Sequence, residues 1–328
     1  MSQDSLHHSE RSALNTFSAP AIHRATYRRQ DETWFAEQLQ APTTRFVLMW
    51  RAKNLFADKS TPRPVLLAPH DLGESAEQSN SAILLGVVDG HTYIALDLSP
   101  DDEPPGFLLT DGREFRSLRG VAALLDHWDA ALLAYAKGMI YWRQRNRFCG
   151  DCGSPTRGAQ GGHLRVCTNP ACGRHHFPRT DPAIIVLVVS NGRCLLGRQA
   201  TWRKGVYATI AGFVEPGESL EAAVAREVQE ETGVRVAWAR YHSSQPWPFP
   251  SSLMLGFTAQ AASDAIHLND GELEDARWFS REEIVGAVQS GVMRIPSDVS
   301  ISYRLIESWF DAGDLGRLEH LLTKNLSL

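Results

Sequence analysis

The chain of 328 residues has no apolar run approaching the length of a membrane span, which excludes a helical membrane protein as the first reading. Its amino terminus, MSQDSLHHSERSALNTF, lacks an apolar h-region and does not read as a signal peptide. No internal repeat is evident. The net charge of −5 provides no strongly basic field, which argues against nucleic acid as the main partner. Cysteine is scarce, five in all, and four of them stand in two close pairs. That usage fits a reducing, cytoplasmic compartment and a metal site better than a disulfide framework. What is present is an ordinary 43% of hydrophobic residues, and a length with room for two or three domains.

One stretch organises the chain: Gly212 to Val234, GFVEPGESLEAAVAREVQEETGV. Ser219 is an N-cap and Gly233 a C′ residue for a helix over Leu220 to Thr232. Glu227, Glu230 and Glu231 stand at i, i+3 and i+4 and share one side of it. At about 100° per residue, Leu220, Ala223, Val224 and Val228 face the core; Glu227 and Glu231 fall on the same stripe and Glu230 on its edge. Clustered carboxylates on a buried side repel and are costly unless paired. Arg226 can offset one charge, and the rest suit a hard cation such as Mg²⁺ or Mn²⁺, which commonly also binds substrate phosphates. A solvated acidic face is the alternative reading of the helix taken alone.

The cysteine pairs are Cys149-x2-Cys152 and Cys167-x4-Cys172, separated by fourteen residues in a polar, Gly-rich segment. Four thiolates at these spacings can surround one tetrahedral, structural Zn²⁺, and leave no open position for catalysis. Gly150, Gly153 and Gly173 suit knuckle turns, and His163, His175 and His176 read as surface or packing residues. Cys194 reads as an ordinary core residue in an apolar strand. Arg143, Arg145 and Arg147 precede this segment, either as a solvated basic helix end or as a nucleic-acid contact. Further on, Ser244 to Ser252 reads SQPWPFPSS, whose alternating prolines imply a stiff, extended segment presenting Trp247 and Phe249.

In chain order, residues 1–16 read as a polar, disordered amino terminus. A β-rich domain over 17–145 has strands at 45–50, 64–67, 82–88 and 91–98, with a hairpin turn at Asp89-Gly90, and ends in a helix over 118–145. The cysteine segment occupies 146–180. An α/β domain over 181–328 has a hairpin of 183–189 and 193–198, strands at 206–211, 234–242, 253–262 and 277–279, a helix from about Glu282 and a final helical region over 300–322. The tail KNLSL carries no clear targeting signal.

Gly212, Glu218, Arg226, Glu227, Val228, Glu230, Glu231, Gly233 and Val234 match the Nudix hydrolase signature, G-x5-E-x7-R-E-U-x-E-E-x-G-U with U apolar, at every fixed position. With the cysteine ribbon and SQPWPFP, the chain resembles the NADH pyrophosphatase (NAD⁺ diphosphatase) family of Nudix hydrolases, well over about Leu118 to Trp309 and more loosely before. Two departures are Ser251-Ser252, where the family has a pair such as QS, and Ser302, where it usually has Ala.

The resemblance implies an α/β (α+β) Nudix fold, a mixed sheet sandwiched by helices, with a zinc ribbon and an N-terminal β-rich Nudix-like domain. It implies that Glu227, Glu230 and Glu231 hold Mg²⁺ or Mn²⁺, with Glu231 or Glu230, in that order, as the base, and that Glu272 contacts metal or substrate. Cys149, Cys152, Cys167 and Cys172 would hold one structural Zn²⁺. The implied substrate contacts are Ala211, Phe213 as a base-stacking ring, Gln245, Pro246, Trp247, Pro248, Phe249, Pro250, Ser251, Ser252, Phe177, Ser302 and Arg119. The implied reaction converts NADH or NAD⁺ with water to NMN(H) and AMP, and the same cleavage removes NAD caps from RNA. A cytoplasmic homodimer without membrane contact is implied. The alternatives are hydrolysis of another nucleoside diphosphate such as ADP-ribose, which SQPWPFP argues against, and a zinc-ribbon nucleic-acid-binding regulator with a relic Nudix fold, against which all four signature carboxylates remain.

Overall fold

The computed structural model describes residues 6–18, 22–72, 81–269 and 271–325. Residues 1–5 of the expected disordered stretch and 326–328 of the tail lie outside the described residues. Among the described residues, no helix is long and apolar enough to cross a membrane. The chain divides into two compact units: one of Met1–Ser18, Asp181–Pro246 and Ser252–Leu328, the other of Ala19–Thr180 and Trp247–Ser251. The sequence places a boundary before the cysteine segment; in the structure this segment and the residues before it back to Ala19 form one unit.

The unit holding the signature is built on a six-stranded mixed sheet. Its central strand, Asp181–Ser190, runs parallel to Ser252–Ala261 and antiparallel to Arg193–Arg198 and Ile210–Phe213. The central strand is apolar on both faces because both are covered. Ile184, Val186 and Val188 pack with Val224 and Val228 of the signature helix. Ile185 and Leu187 pack with Ile284 of helix Arg281–Gln289 and with Ile301 and Leu305 of helix Ile301–Asp311. A mixed sheet lies between helices, as the Nudix resemblance implies. The strand expected at 206–211 forms at Ile210–Phe213, where it pairs with Ala183 to Val186. The expected final helical region is two helices, Ile301–Asp311 and Leu318–Asn325; between them Gly316 takes a positive φ of 86°.

Residues expected to be disordered contribute to this unit. His8–Ala13 is a helix with a capping box between His7 and Glu10. Asn15 Nδ2 donates to Ser243 Oγ and the Ser244 carbonyl at 3.2 and 2.9 Å, and Ser12 Oγ accepts from the Ser244 N–H at 3.0 Å. A polar composition concealed this order because the partners, the Ser243 hydroxyl and the Ser244 backbone, lie on a distant strand, Val236–Trp247.

The other unit has a seven-stranded sheet whose central strand, Thr44–Trp50, is parallel to His91–Asp97. Phe46, Leu48, Ile94 and Leu96 form its core with Leu55 and Leu108. The Asp89-Gly90 turn joins Ala82–Val88 to His91–Asp97, with both turn residues at positive φ. The continuous helix expected over 118–145 is broken. Leu118–Val121 is a short helix, and Leu125 turns extended. Asp126 then caps His127–Arg145, accepting from the Asp129 N–H at 2.8 Å. A three-stranded sheet of Thr156–Ala159, Leu164–Cys167 and His175–His176 carries Cys167, and Cys149, Cys152 and Cys172 lie outside its strands.

Candidate diphosphatase site and cysteine centre

The signature helix runs Leu220–Thr232, as its caps imply: Ser219 Oγ accepts from the Ala222 N–H at 3.2 Å, and Gly233 is left-handed. Ala223, Val224 and Val228 are buried, and Glu231 joins them at 5% exposure, while Glu230 faces out. Glu227 lies between, under the strand Ile210–Phe213. A Cβ at Gly212 would overlap the Glu227 carboxyl, so the first glycine of the signature is there to admit that side chain.

Arg226 does more than offset one charge. Its Nε and Nη2 donate to the two oxygens of Glu218 at 2.6 and 2.9 Å, its Nη1 to Glu227 at 2.9 Å and Glu230 at 3.0 Å, and its Nη2 also to the Phe213 carbonyl at 2.9 Å. This guanidinium fork, backed by the Glu215 N–H, holds the Glu218 carboxyl down at about 2, and the carboxylates raise Arg226 in return. Glu227 moves the other way: burial raises it above the ordinary carboxyl value, Arg226 opposes that, and Glu230 and Glu272 add repulsion. Glu272, though distant in sequence, therefore lies within electrostatic reach of Glu227, and it is exposed. Ala211 and Phe213 flank Gly212 on the same strand, both exposed, Phe213 at 59%.

The SQPWPFP segment does two different things. Gln245 is fully buried. Its Nε2 donates to the carbonyls of Thr16 and Val299, each at 2.8 Å, and its Oε1 accepts from the Ile301 N–H at 2.8 Å. Both amide hydrogens are committed, so the expected substrate contact is a strut. Ser252 is a buried strand residue paired with Asp181, and Pro246 is exposed. Ser302, also expected at the substrate, is 3% exposed, and its Oγ accepts from the N–H and Oγ1 of Thr209 at 3.2 and 2.9 Å. The hydroxyl fixes the approach to the signature strand and leaves little surface for a ligand.

Trp247 to Ser251 belong to the other unit. The expected extended run turns there: the Phe249 N–H donates to the Trp247 carbonyl at 2.8 Å, and Phe249–Pro250 is cis. The Trp247 and Phe249 rings meet edge to face at 5.2 Å, with Pro248 buried and Pro250 exposed. Arg119 stands over both, 5.7 Å from the Trp247 ring centre and 5.4 Å from that of Phe249. Lys137 adds a cation 5.9 Å from Phe249, held by the Ala52 carbonyl at 2.9 Å. Sequence reasoning missed Lys137, because an isolated lysine on a helix carries no signal. Phe177 is exposed, edge-on to His175 at 6.3 Å.

The four cysteines converge. All four Sγ atoms lie within 4.8 Å of one another, Cys149 to Cys172 at 3.8 Å and Cys152 to Cys167 at 3.4 Å. Sulfurs about 2.3 Å from a central tetrahedral ion would be about 3.8 Å apart, so the centre has the right size for zinc. Gly153 and Gly173 take positive φ in the knuckles, and their N–H groups donate to Cys149 and Asn169 carbonyls; Gly150 is not left-handed. The Ser154 hydroxyl and N–H pull the Cys152 thiol down to about 6, toward the metal-binding thiolate. His163 is outside the centre: buried, it bonds the Leu84 carbonyl through Nε2 at 2.6 Å. Cys194 is buried in the other unit, its thiol pushed up by burial. Among the described residues this is the one group of three or more such side chains at ligand spacing. Glu227, Glu230, Glu231 and Glu272 are not gathered to that spacing.

Comparison with known proteins agrees with this layout. Residues 43–142 match the NADH pyrophosphatase-like rudimentary NUDIX domain, 144–177 the NADH pyrophosphatase zinc ribbon domain and 178–295 the NUDIX domain. The NAD-capped RNA hydrolase NUDT12 of Macaca fascicularis is 42% identical over 192 residues, 55% of this chain and 42% of that protein, so the chain spans under half the length of this relative. The NAD-capped RNA hydrolase NudC of Stutzerimonas stutzeri is 41% identical over 239 residues, 73% of this chain and 80% of the relative. A Nudix hydrolase structure from Nitrosomonas europaea is 21% identical, covers 52% of this chain and 96% of its own, and has a TM-score of 0.41. Three successive domain matches over 43–295 and an identity of 41% across most of a NudC protein give one conclusion: the chain belongs to the NADH pyrophosphatase family of Nudix hydrolases.

Proposed function

We propose that the chain hydrolyses the diphosphate bond of NADH and NAD⁺ to NMN(H) and AMP, and by the same cleavage removes NAD caps from RNA. The observation that carries this is the signature helix, which places Glu227 against the Gly212 backbone and Glu231 on its buried side, with Arg226 holding the neighbouring carboxylates in place. The names of the NudC and NUDT12 relatives support the NAD-cap substrate.

Clustered hard oxygen donors suit Mg²⁺ or Mn²⁺, and Glu227, Glu230, Glu231 and Glu272 would hold it. Such an ion supplies charge neutralisation at the diphosphate and a more acidic water. The chain's own residues do the rest. Glu231 accepts the water's proton, with Glu230 as the second candidate. Phe213 and the Trp247–Phe249 pair with Arg119 offer faces for a base or nicotinamide ring. Gln245 and Ser302 position backbone only. Cys149, Cys152, Cys167 and Cys172 hold one structural Zn²⁺. Cysteines used as metal ligands suit a reducing, cytoplasmic compartment, and we assign the protein a homodimer on family grounds.

Purified protein with NADH and Mg²⁺ or Mn²⁺ is expected to release AMP and NMNH. Glu231→Gln is expected to fold and lose about 10²–10⁴ in turnover. Near-normal hydrolysis by that variant would sink the assignment of the base, and no hydrolysis of NADH by the unaltered protein would sink the function.

A further inference from the structure

Three arginines near the end of helix His127–Arg145 have separate fates. Arg145 turns back on its own helix, donating to Tyr141 Oη at 3.3 Å with its guanidinium 5.4 Å from that ring centre. Arg143 and Arg147 instead line a cleft of about 750 Å³, together with Arg157 and Arg165. The cleft lies wholly within the unit that carries the cysteines, and none of its residues belongs to the diphosphatase site.

Four guanidiniums face one carboxylate there, that of Asp97. This group is buried and already accepts from Gln144 Nε2 and the Ser99 N–H, each at 3.0 Å. Arg165 is 91% buried by its 9% exposure, and is locked in place: its Nε donates to Thr156 Oγ1 at 2.9 Å and its Nη2 to the Thr156 carbonyl. Its Nη1 takes no part in these bonds and approaches Gly158, another wall of the cleft. Arg143 Nη1 is buried with no hydrogen-bond partner. A solvated helix end would leave no donor buried and unpaired, since such a group forfeits its bonds to water. Burial depresses both Arg143 and Arg165; Asp97 opposes this at Arg143, Arg147 adds to it there, and Arg143 and Arg147 add to it at Arg165, so positive charge exceeds what the one carboxylate offsets.

Rigid guanidinium forks match phosphate oxygens two at a time. Among the described residues no aromatic ring lines this cleft, so it lacks the aromatic platform on which successive bases stack. We propose that the cleft is a second anion site that binds a run of phosphate groups through charge and fork geometry, without reading a base. Two sources share this chemistry: the phosphodiester chain of a single-stranded RNA and a free inorganic polyphosphate.

The test uses the full chain with two probes, an uncapped single-stranded RNA with a 5′ hydroxyl followed by fluorescence anisotropy, and tripolyphosphate followed by calorimetry. Binding should weaken with salt, and Arg147→Gln with Arg157→Gln should weaken it about tenfold or more and flatten the RNA salt slope by about 0.7 for each lost contact. Both residues are exposed, so this double variant should fold; Arg143→Gln is the companion that removes the orphaned donor. NADH hydrolysis measured in the same samples should be unchanged, which separates this inference from the diphosphatase assignment. Loss of RNA binding alone identifies the phosphodiester chain, and loss of tripolyphosphate binding alone identifies the free ion. Binding of neither probe, or undiminished binding of both by the double variant, overturns the proposal.

Discussion

The cysteine centre and the signature helix are both ligand sets written into short stretches of sequence, yet they differ in how finished they are. Four sulfurs already stand at the spacing of a tetrahedral ion, set by two knuckle turns and a three-stranded sheet. The glutamates are kept apart, three carboxylates being spread around Arg226. The difference follows from chemistry. Four thiolates are drawn to one spacing by a soft ion that closes its coordination with them, whereas carboxylates that must also admit a substrate repel one another and are held by a cation of the protein's own. A structural centre can be closed in advance; a catalytic one must leave room for substrate phosphates.

The largest effect is expected at the cysteines. Cys149→Ser, or removal of metal by a chelator, is expected to lose the zinc and unfold the ribbon, since structural zinc supplies on the order of 10 kcal/mol in small domains. Metal analysis and thermal unfolding read the outcome. Glu227→Gln, by contrast, should leave the melting temperature within a few degrees of the unaltered protein.

Acid sharpens the contrast next, because each unit hides one neutral histidine. His163 and His242 are both held down at about 4, mainly by burial and secondarily by nearby positive groups; the Leu84 carbonyl partly offsets this at His163. The folded value lies below the ordinary 6.5, so the unfolded chain takes the proton first. Stability from each is complete above about 6.5 and falls as pH drops toward about 4, by up to roughly 3 kcal/mol apiece. Urea unfolding at neutral and acid pH should show this loss in both units, and a pH-independent midpoint would contradict it.

Gly212→Ala tests how finely the open site is held. The new methyl group displaces the Glu227 carboxyl, and a shift of about 1 Å in such a group costs about 10²-fold in turnover. The smallest effect is expected at Arg119→Gln. It removes a cation over two aromatic faces, worth about 1 kcal/mol, and should raise KM for NADH several-fold with kcat nearly unchanged. A fall in kcat alone would place Arg119 in the chemistry.

Contiguous features were legible without coordinates. The helix Leu220–Thr232 formed between its two caps, and the four cysteines met, because knuckle turns and helical spacing are properties of a few neighbouring residues. The long helix over 118–145 was misread because a single cap, Asp126, restarts it. The amino-terminal helix was missed because its order depends on Ser243 and Ser244, more than two hundred residues away.

By itself, the sequence determined the family, the metal-binding character of both stretches and the face of the signature helix. It did so through residue type and local spacing, which persist whatever the remainder of the chain does. Only the tertiary structure decided that Gln245 and Ser302 are struts, that Arg119 and Lys137 share the Trp247–Phe249 pair, and that Arg143 and Arg147 part from Arg145 to join Arg157 and Arg165. Those outcomes depend on which distant backbone groups and charges are brought alongside once the sheets have closed, and no local pattern encodes them.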